Sequence, residues 1–208
     1  MKIKAVIFDM DGVLIDAKEW HYESLNRALS LFGAEINRYD HVVTFDGLPT
    51  ARKLQMLSSM GKLPAGLHTF INDLKQQYTM ELIYSKCKPI FQHQYALAKL
   101  KNNSYRLVVC SNSVRKTVEV MMEKSGLFTN LEFMLSNQDV KKGKPDPEIY
   151  NMAINKLGLT PQECLIIEDN ENGVRAAIAS GANVMIVTNP DDVHYNNIMN
   201  RIHEIENA

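Results

Sequence analysis

Residues 3–12 read IKAVIFDMDG, an apolar and largely β-branched run that stops at Asp9, Asp11 and Gly12. A short apolar run closed by acidic residues and glycine reads as a buried strand ending in a loop. Similar runs recur downstream: RLVVC at 106–110, FMLS at 133–136, LIIE at 165–168 and NVMIV at 183–187. Helical patterns separate them. Val114, Val118, Met121 and Met122 recur at helical spacing, with Ser113 as N-cap and Gly126 as stop. Pro147 opens another helix that Gly158 closes, and an Ala-rich stretch over 172–180 ends at Gly181. Repeated strand–helix units imply right-handed crossovers and a parallel sheet covered on both faces, which suits strands that are apolar throughout. The fold class is α/β with a doubly wound parallel sheet.

The stretch after the first strand behaves differently. From about Ala17 to Ser85 no strand pattern is found. Trp20, Leu25, Leu29 and Phe32 form one apolar helical stripe closed by Gly33, and Phe70, Ile71, Leu74 and Tyr78 form another. Helices without strands, placed here, read as an insertion above the carboxyl edge of the sheet, where ligands bind in open α/β folds. The expected organisation is a core from 1–16 and 85–208 with an inserted α-helical cap over 17–84.

Composition removes several function classes. Among 208 residues, 23 Lys and Arg stand against 24 Asp and Glu, a formal net charge of −1. That balance argues against a basic nucleic-acid binder. No apolar run approaches the roughly 18–20 residues that span a bilayer, and the N-terminus lacks the apolar segment of a signal peptide. Cys87, Cys110 and Cys164 lie far apart with no CxxC pair, so neither a disulfide framework nor a zinc site is indicated. A cytoplasmic protein, a monomer or weak dimer with no nucleic-acid or membrane partner, is expected.

The strand ends collect the chemistry. Asp9 and Asp11 follow the first strand, and Ser111 and Asn112 follow the second. Lys144 lies in the KKGKPDP loop after the third, and Glu168 and Asp169 close the fourth. Parallel strands present their carboxyl ends to one edge, so these residues converge on one crevice. Four carboxylates in a partly dry site repel one another unless a cation intervenes. An oxygen-only set without His or Cys favours a hard ion such as Mg²⁺. A lysine and a hydroxyl beside a metal suit a phosphoryl group, and a carboxylate can attack phosphorus. In an extended strand the spacing of Asp9 and Asp11 puts both side chains on one side, one to attack and one to handle the proton. DMDG is not an EF-hand fragment, because its glycine comes fourth after a strand rather than sixth in a loop that follows a helix.

DMDGVLID at 9–16, VVCSNS at 108–113, KKGKPDPEIY at 141–150 and IIEDNENGVRAA at 166–177 resemble the four ordered motifs of the haloacid dehalogenase superfamily. The resemblance covers essentially the whole chain. It points to the branch with a helical cap, which includes β-phosphoglucomutase and many small-molecule phosphatases. It implies a Rossmann-like core with Asp9 as nucleophile and Asp11 as general acid and base. It implies Mg²⁺ held by the Asp9 carboxylate, the Asp11 backbone carbonyl and Asp169, with Glu168 as a further ligand or a support. Ser111 and the Asn112 N–H are implied as phosphate binders, and Lys144 as the cation that neutralises Asp9 and the phosphate. Gly12 is implied as the turn that lets backbone approach the phosphate. Within the cap, His21 corresponds to a substrate-contacting histidine, although an ordinary half-buried helix histidine fits as well. Asp46–Thr50 sits where mutase-like relatives carry a loop with an arginine close behind the glycine, and Arg52 is the nearby candidate. The motif EDN at 168–170 and Lys88-Pro89-Ile90 depart from the common pattern.

The expected activity is hydrolysis of a small phosphorylated metabolite, a sugar or polyol phosphate, through an aspartyl-phosphate intermediate. The alternatives are a β-phosphoglucomutase-like phosphomutase and, from another class, a non-catalytic sugar-phosphate sensor. A dehalogenase is disfavoured because its ester chemistry needs no acid two residues after the nucleophile.

Overall fold

The structure is a computed structural model that describes residues 2–45 and 48–208, with the side chain of Val42 excepted. In chain order its main elements are β1 (Ala5–Phe8), α1 (Lys18–Ser30), α2 (Arg38–Asp40), α3 (Thr50–Ser59), α4 (His68–Lys86), α5 (Phe91–Asn102) and β2 (Arg106–Cys110). There follow α6 (Arg115–Lys124), β3 (Phe133–Leu135), α7 (Glu148–Leu157), β4 (Cys164–Glu168), α8 (Glu171–Ala179), β5 (Asn183–Ile186) and α9 (Tyr195–Asn207). They form two compact units: Met1–Asp16 with Cys87–Ala208, and Ala17–Lys86. Among the described residues no helix is long and apolar enough to cross a membrane.

The first unit is the doubly wound α/β fold. Its strands are all parallel and ordered β3-β2-β1-β4-β5. One face of the sheet buries Ala5, Ile7, Val108, Cys110 and Ile166 against Ile149, Tyr150, Ala153 and Leu157 of α7 and Ala176 and Ala177 of α8. Strand alternation turns Val6, Phe8, Leu107, Val109 and Leu165 to the other face, and these are as fully buried. On that side α5 packs against β2 and α9 against β5, with α5 and α9 packed on each other. Register aligns the strand ends. Phe8 of β1 pairs with Val109 of β2 and with Ile167 of β4, so Asp9, Cys110 and Glu168 stand at one level. Hydrogen bonding continues just past the strands: Asp9 N–H donates to the Ile167 carbonyl at 3.0 Å and Ser111 N–H to the Leu135 carbonyl at 3.0 Å.

Some boundaries move. The strands expected over 3–8, 133–136 and 183–187 are trimmed to Ala5–Phe8, Phe133–Leu135 and Asn183–Ile186. Val114, not Ser113, takes the N-cap position of α6, and its side chain offers no capping hydrogen bond. The Ala-rich helix starts at Glu171, where the Asn170 side chain caps it by accepting from Gly173 N–H.

The second unit is all helical among its described residues and ends at Lys86 rather than at residue 84. Its core joins Leu25, Ala28 and Leu29 of α1 with Leu54 and Leu57 of α3 and Ile71 of α4. The two stripes expected here are narrower than the apolar spacing suggests. Phe32 follows the end of α1, Phe70 stands on α4, and the two rings meet edge to face, 6.2 Å apart, while remaining 39% and 54% exposed. Of the loop segment Asp46–Thr50, Asp46 and Gly47 lie outside the described residues.

One surface cluster yields a pH test of the first unit. Glu163 accepts from the Thr160 backbone at 2.9 Å and pairs with Lys4 at 2.5 Å, tying the start of β4 to the start of β1. The Lys4 ammonium, then the Thr160 N–H, hold its carboxyl down at about 2, against an ordinary 4.5. A depressed carboxyl stabilises the fold above its unfolded value and loses that contribution as pH falls toward its folded value. Glu163→Gln is therefore expected to lower stability at neutral pH, with the deficit against the parent shrinking between pH 4.5 and about 2. Urea unfolding of both proteins across that range checks this, and a deficit independent of pH would contradict it.

Candidate active site

The carboxyl edge of the sheet assembles a closed polar network. Lys144 comes from the loop before α7, and its Nζ donates to Asp9 Oδ1 at 2.5 Å, Glu168 Oε1 at 2.7 Å and the Cys110 carbonyl at 2.8 Å. These three acceptors use all three ammonium protons. The cluster is dry: Asp9 and Lys144 are each 5% exposed and Glu168 is 0% exposed. Asp9, Glu168 and Asp169 each place a carboxylate oxygen within 4.8 Å of the others.

Negative charge is in excess here. Burial pushes the Asp9 carboxyl well above its ordinary range; Lys144 opposes that shift, while Glu168 and Asp11 add to it. Burial works to lower the Lys144 ammonium, but Asp9 and Glu168 outweigh it and raise it above its usual value. Burial dominates the first shift and the neighbouring carboxylates the second, in a low-dielectric pocket where several carboxylates share one lysine. The donor set fits the missing charge: clustered carboxylate oxygens with no nitrogen or sulfur are the ligands of a hard divalent cation.

Asp11 joins the network by a route different from the one expected. β1 ends at Phe8, so Asp9 and Asp11 do not share the face of a pleated strand. The chain turns instead: the N–H groups of Leu14 and Ile15 both donate to the Met10 carbonyl at 3.0 Å. Gly12 sits at φ +93°, a backbone conformation that glycine adopts at little cost. This turn leaves Asp11 Oδ2 accepting from Ser113 Oγ at 2.8 Å and from Ser111 Oγ at 3.5 Å. Ser111 Oγ in turn accepts from Ser113 N–H at 3.0 Å.

Asn112 has a use its sequence position does not reveal. Its side-chain amide forms a two-point latch on the backbone of Lys144, accepting from N–H at 3.0 Å and donating to C=O at 3.1 Å. Gly143 makes room for the latch, since a Cβ there would lie 2.7 Å from Asn112 Oδ1. The loop carrying the lysine is thus fastened to the end of β2.

Asp9, Asp11, Gly12, Ser111, Asn112, Lys144, Glu168 and Asp169 therefore all lie at this edge of the first unit. His21 and Arg52 belong to the helical unit. There His21 Nδ1 lies 3.4 Å from Nζ of Lys75, a buried lysine on α4. Ser113, Tyr150 and Lys75 also hold polar contacts that their places in the sequence do not announce. Tyr150 carried a signal: a phenol on the buried face of an otherwise apolar helix needs a polar partner. Ser113 carried none, because a serine just before a helix reads first as a cap.

Comparisons with known proteins show the family. A family model described as haloacid dehalogenase-like hydrolase matches residues 6–187. The chain is 28% identical over 182 residues to the phosphorylated carbohydrates phosphatase of Thermotoga maritima, covering 86% of this chain and 82% of that protein. It is 28% identical over 188 residues to the pyrophosphatase PpaX of Bacillus velezensis, covering 86% of this chain and 81% of that one. The crystal structure of β-phosphoglucomutase from Clostridium difficile superposes with a TM-score of 0.83 at 21% identity, over 99% of this chain and 100% of that chain, a likeness of fold. An ordered set of motifs, a buried lysine–carboxylate centre at the sheet edge and a model match over most of the length have one common explanation: the chain belongs to the haloacid dehalogenase-like hydrolase family.

Proposed function

We propose that the protein is a Mg²⁺-dependent phosphatase acting on a small phosphorylated metabolite, a sugar or polyol phosphate, through a phosphoaspartate on Asp9. The observation that carries this reading is the placement of Lys144 Nζ 2.5 Å from Asp9 Oδ1, inside a cluster where carboxylates outnumber the single cation. A lysine so placed favours the ionised form of Asp9 against the burial that disfavours it, and an ionised carboxylate is the nucleophile that attack on phosphorus requires. Relatives that hydrolyse phosphorylated carbohydrates and pyrophosphate support the reaction class.

In this reading an Asp9 carboxylate oxygen attacks phosphorus while the bond from phosphorus to the leaving oxygen breaks. Asp11 gives its proton to that leaving oxygen, which departs as the alcohol. Asp11, now a carboxylate, takes a proton from the water that attacks the phosphoaspartate. The bond between Asp9 and phosphorus then breaks, inorganic phosphate leaves, and both aspartates return to their starting states. The hydroxyls of Ser113 and Ser111 hold Asp11 for the two proton transfers. Ser111 and the Asn112 N–H bind phosphoryl oxygens, and Lys144 exchanges one of its present acceptors for another. Asp9, the Asp11 backbone carbonyl and Asp169 would hold Mg²⁺, with Glu168 beside them. When bound, the ion supplies the positive charge that offsets these carboxylates and the phosphoryl oxygens.

The test is release of inorganic phosphate from a panel of hexose, pentose and polyol phosphates, with Mg²⁺ and with EDTA. Turnover of one or more with Mg²⁺, lost in EDTA, is expected. No turnover of any ester, including a generic aryl phosphate, would contradict the reading and favour a sensor. Conversion of a hexose 1-phosphate, primed with the bisphosphate, to an isomeric sugar phosphate without free phosphate would make the protein a phosphomutase.

A further inference from the structure

Tyr150 takes no part in the chemistry just described, yet its hydroxyl is tied to the centre of the site. It is fully buried on the face of α7 that carries Ile149, Ala153, Ile154 and Leu157. Packing alone on that face would be met by phenylalanine or an aliphatic residue, so the hydroxyl calls for a polar explanation. Tyr150 Oη donates to Glu168 Oε1 at 2.5 Å, the same oxygen that accepts from Lys144 Nζ at 2.7 Å. The Lys144 ammonium also lies 4.8 Å from the Tyr150 ring centroid, in cation–π range. The other Glu168 oxygen accepts from Asp169 N–H at 3.2 Å. Gly173 of α8 also borders it, where a Cβ would collide with the Glu168 carboxylate. Glu168 is thus fixed by two donors on one oxygen, one donor on the other and a glycine wall.

We propose that Tyr150 is a positioning residue of the divalent-cation site: with Gly173 as its counterpart wall, it locks the Glu168 carboxylate so that Glu168 steadies Lys144 beside Asp9 and fixes the backbone of the adjacent Asp169. The inference rests on the function proposed above and deepens it. A carboxylate held in one rotamer loses little freedom when an ion arrives beside it, whereas a loose one must be ordered at that moment.

Tyr150→Phe keeps the ring and removes only the donor. Mn²⁺ binding by the full-length protein, followed by the loss of the free-ion paramagnetic resonance signal, is expected to weaken by roughly 10–100-fold, the usual cost of deleting a partner behind a metal ligand. KM for an aryl phosphate at saturating metal should stay within about twofold and kcat should fall, because the substrate's own contacts are untouched. Gly173→Ala, whose Cβ presses on the same carboxylate, should weaken Mn²⁺ in the same direction. Should Gly173→Ala not fold, Tyr150→Phe decides alone. A variant with a lowered unfolding midpoint in EDTA but Mn²⁺ affinity unchanged or tightened would overturn the inference, leaving Tyr150 a packing residue. Parent protein that binds no Mn²⁺ would instead overturn the proposed function, and this inference with it.

Discussion

Replacing Asp9 by asparagine is expected to leave a folded protein whose phosphate release falls by roughly 10⁴-fold or more, the scale on which loss of a nucleophile is felt. The fold should survive because the change relieves charge rather than creating it. Asparagine keeps the shape and an acceptor for Lys144, which also retains Glu168 at 2.7 Å and the Cys110 carbonyl at 2.8 Å. The Asp9 carboxyl is raised by burial, so its ionisation opposes folding of the metal-free protein above the usual carboxylate range. Metal-free Asp9→Asn should accordingly be at least as stable as the parent near neutral pH. Phosphate release from an aryl phosphate and thermal unfolding in EDTA measure the two halves. Retained turnover would remove Asp9 from its role, and an unfolded variant would show that the charge is structural.

Lys144→Met gives the opposite pattern and the largest expected change in stability. It leaves Asp9 and Glu168 facing each other in a pocket where both are almost completely buried, with no cation between them. Removing one partner of a buried ion pair costs about 3–5 kcal/mol, mostly because the remaining charge stays buried without compensation. The sign of the pH dependence follows. Without the ammonium, which opposes the shift, the Asp9 carboxyl already raised by burial rises further above its unfolded value. Carboxyls raised in this way destabilise the native state at high pH, and protonation restores stability as pH falls. Denaturant unfolding in EDTA should therefore show the deficit in full near about pH 8 and much reduced near about pH 5, closer to the ordinary carboxyl range. A deficit that is absent, or that grows toward acid, would mean Lys144 does not compensate these carboxylates. Activity should be lost at both pH values.

The stretches that carry these effects were legible because strand ends in a parallel sheet have only one place to go. Apolar runs stopping at Asp9, Cys110 and Glu168 mark three strand termini, and parallel pairing then brings them to one edge without any knowledge of side-chain contacts. What stayed hidden are partnerships between side chains about 100 residues apart, such as Ser113 with Asp11. Local sequence shows a serine before a helix and a turn after a strand, and nothing in either segment names the other. The same holds for Asn112, whose amide latches the backbone of Lys144 although its neighbours suggest only a loop donor. The shared face expected for Asp9 and Asp11 from their i, i+2 spacing is lost for a definable reason. It requires pleated backbone, whereas the chain past Phe8 is already turning about Gly12. Phe32 and Phe70 mislead similarly: helical spacing places them on apolar stripes, but the rings pair with each other and stay partly in water. Tyr150 sits between these cases, visible as a buried phenol that needs a partner, with the partner named only by the fold.

Passage of the phosphoryl group through Asp9 is the step that defines the proposed reaction. It is tested most directly in the Asp11→Asn protein with an aryl phosphate, whose leaving group departs without help from an acid. Loss of the Asp11 base slows attack of water on the intermediate, so the phosphoenzyme should accumulate. Acid quenching, digestion and mass spectrometry should then find the mass of one phosphoryl group on the peptide containing Asp9, sensitive to hydroxylamine. Release of the aryl alcohol with no phosphoryl group on that peptide, or with one on another peptide, would contradict the account.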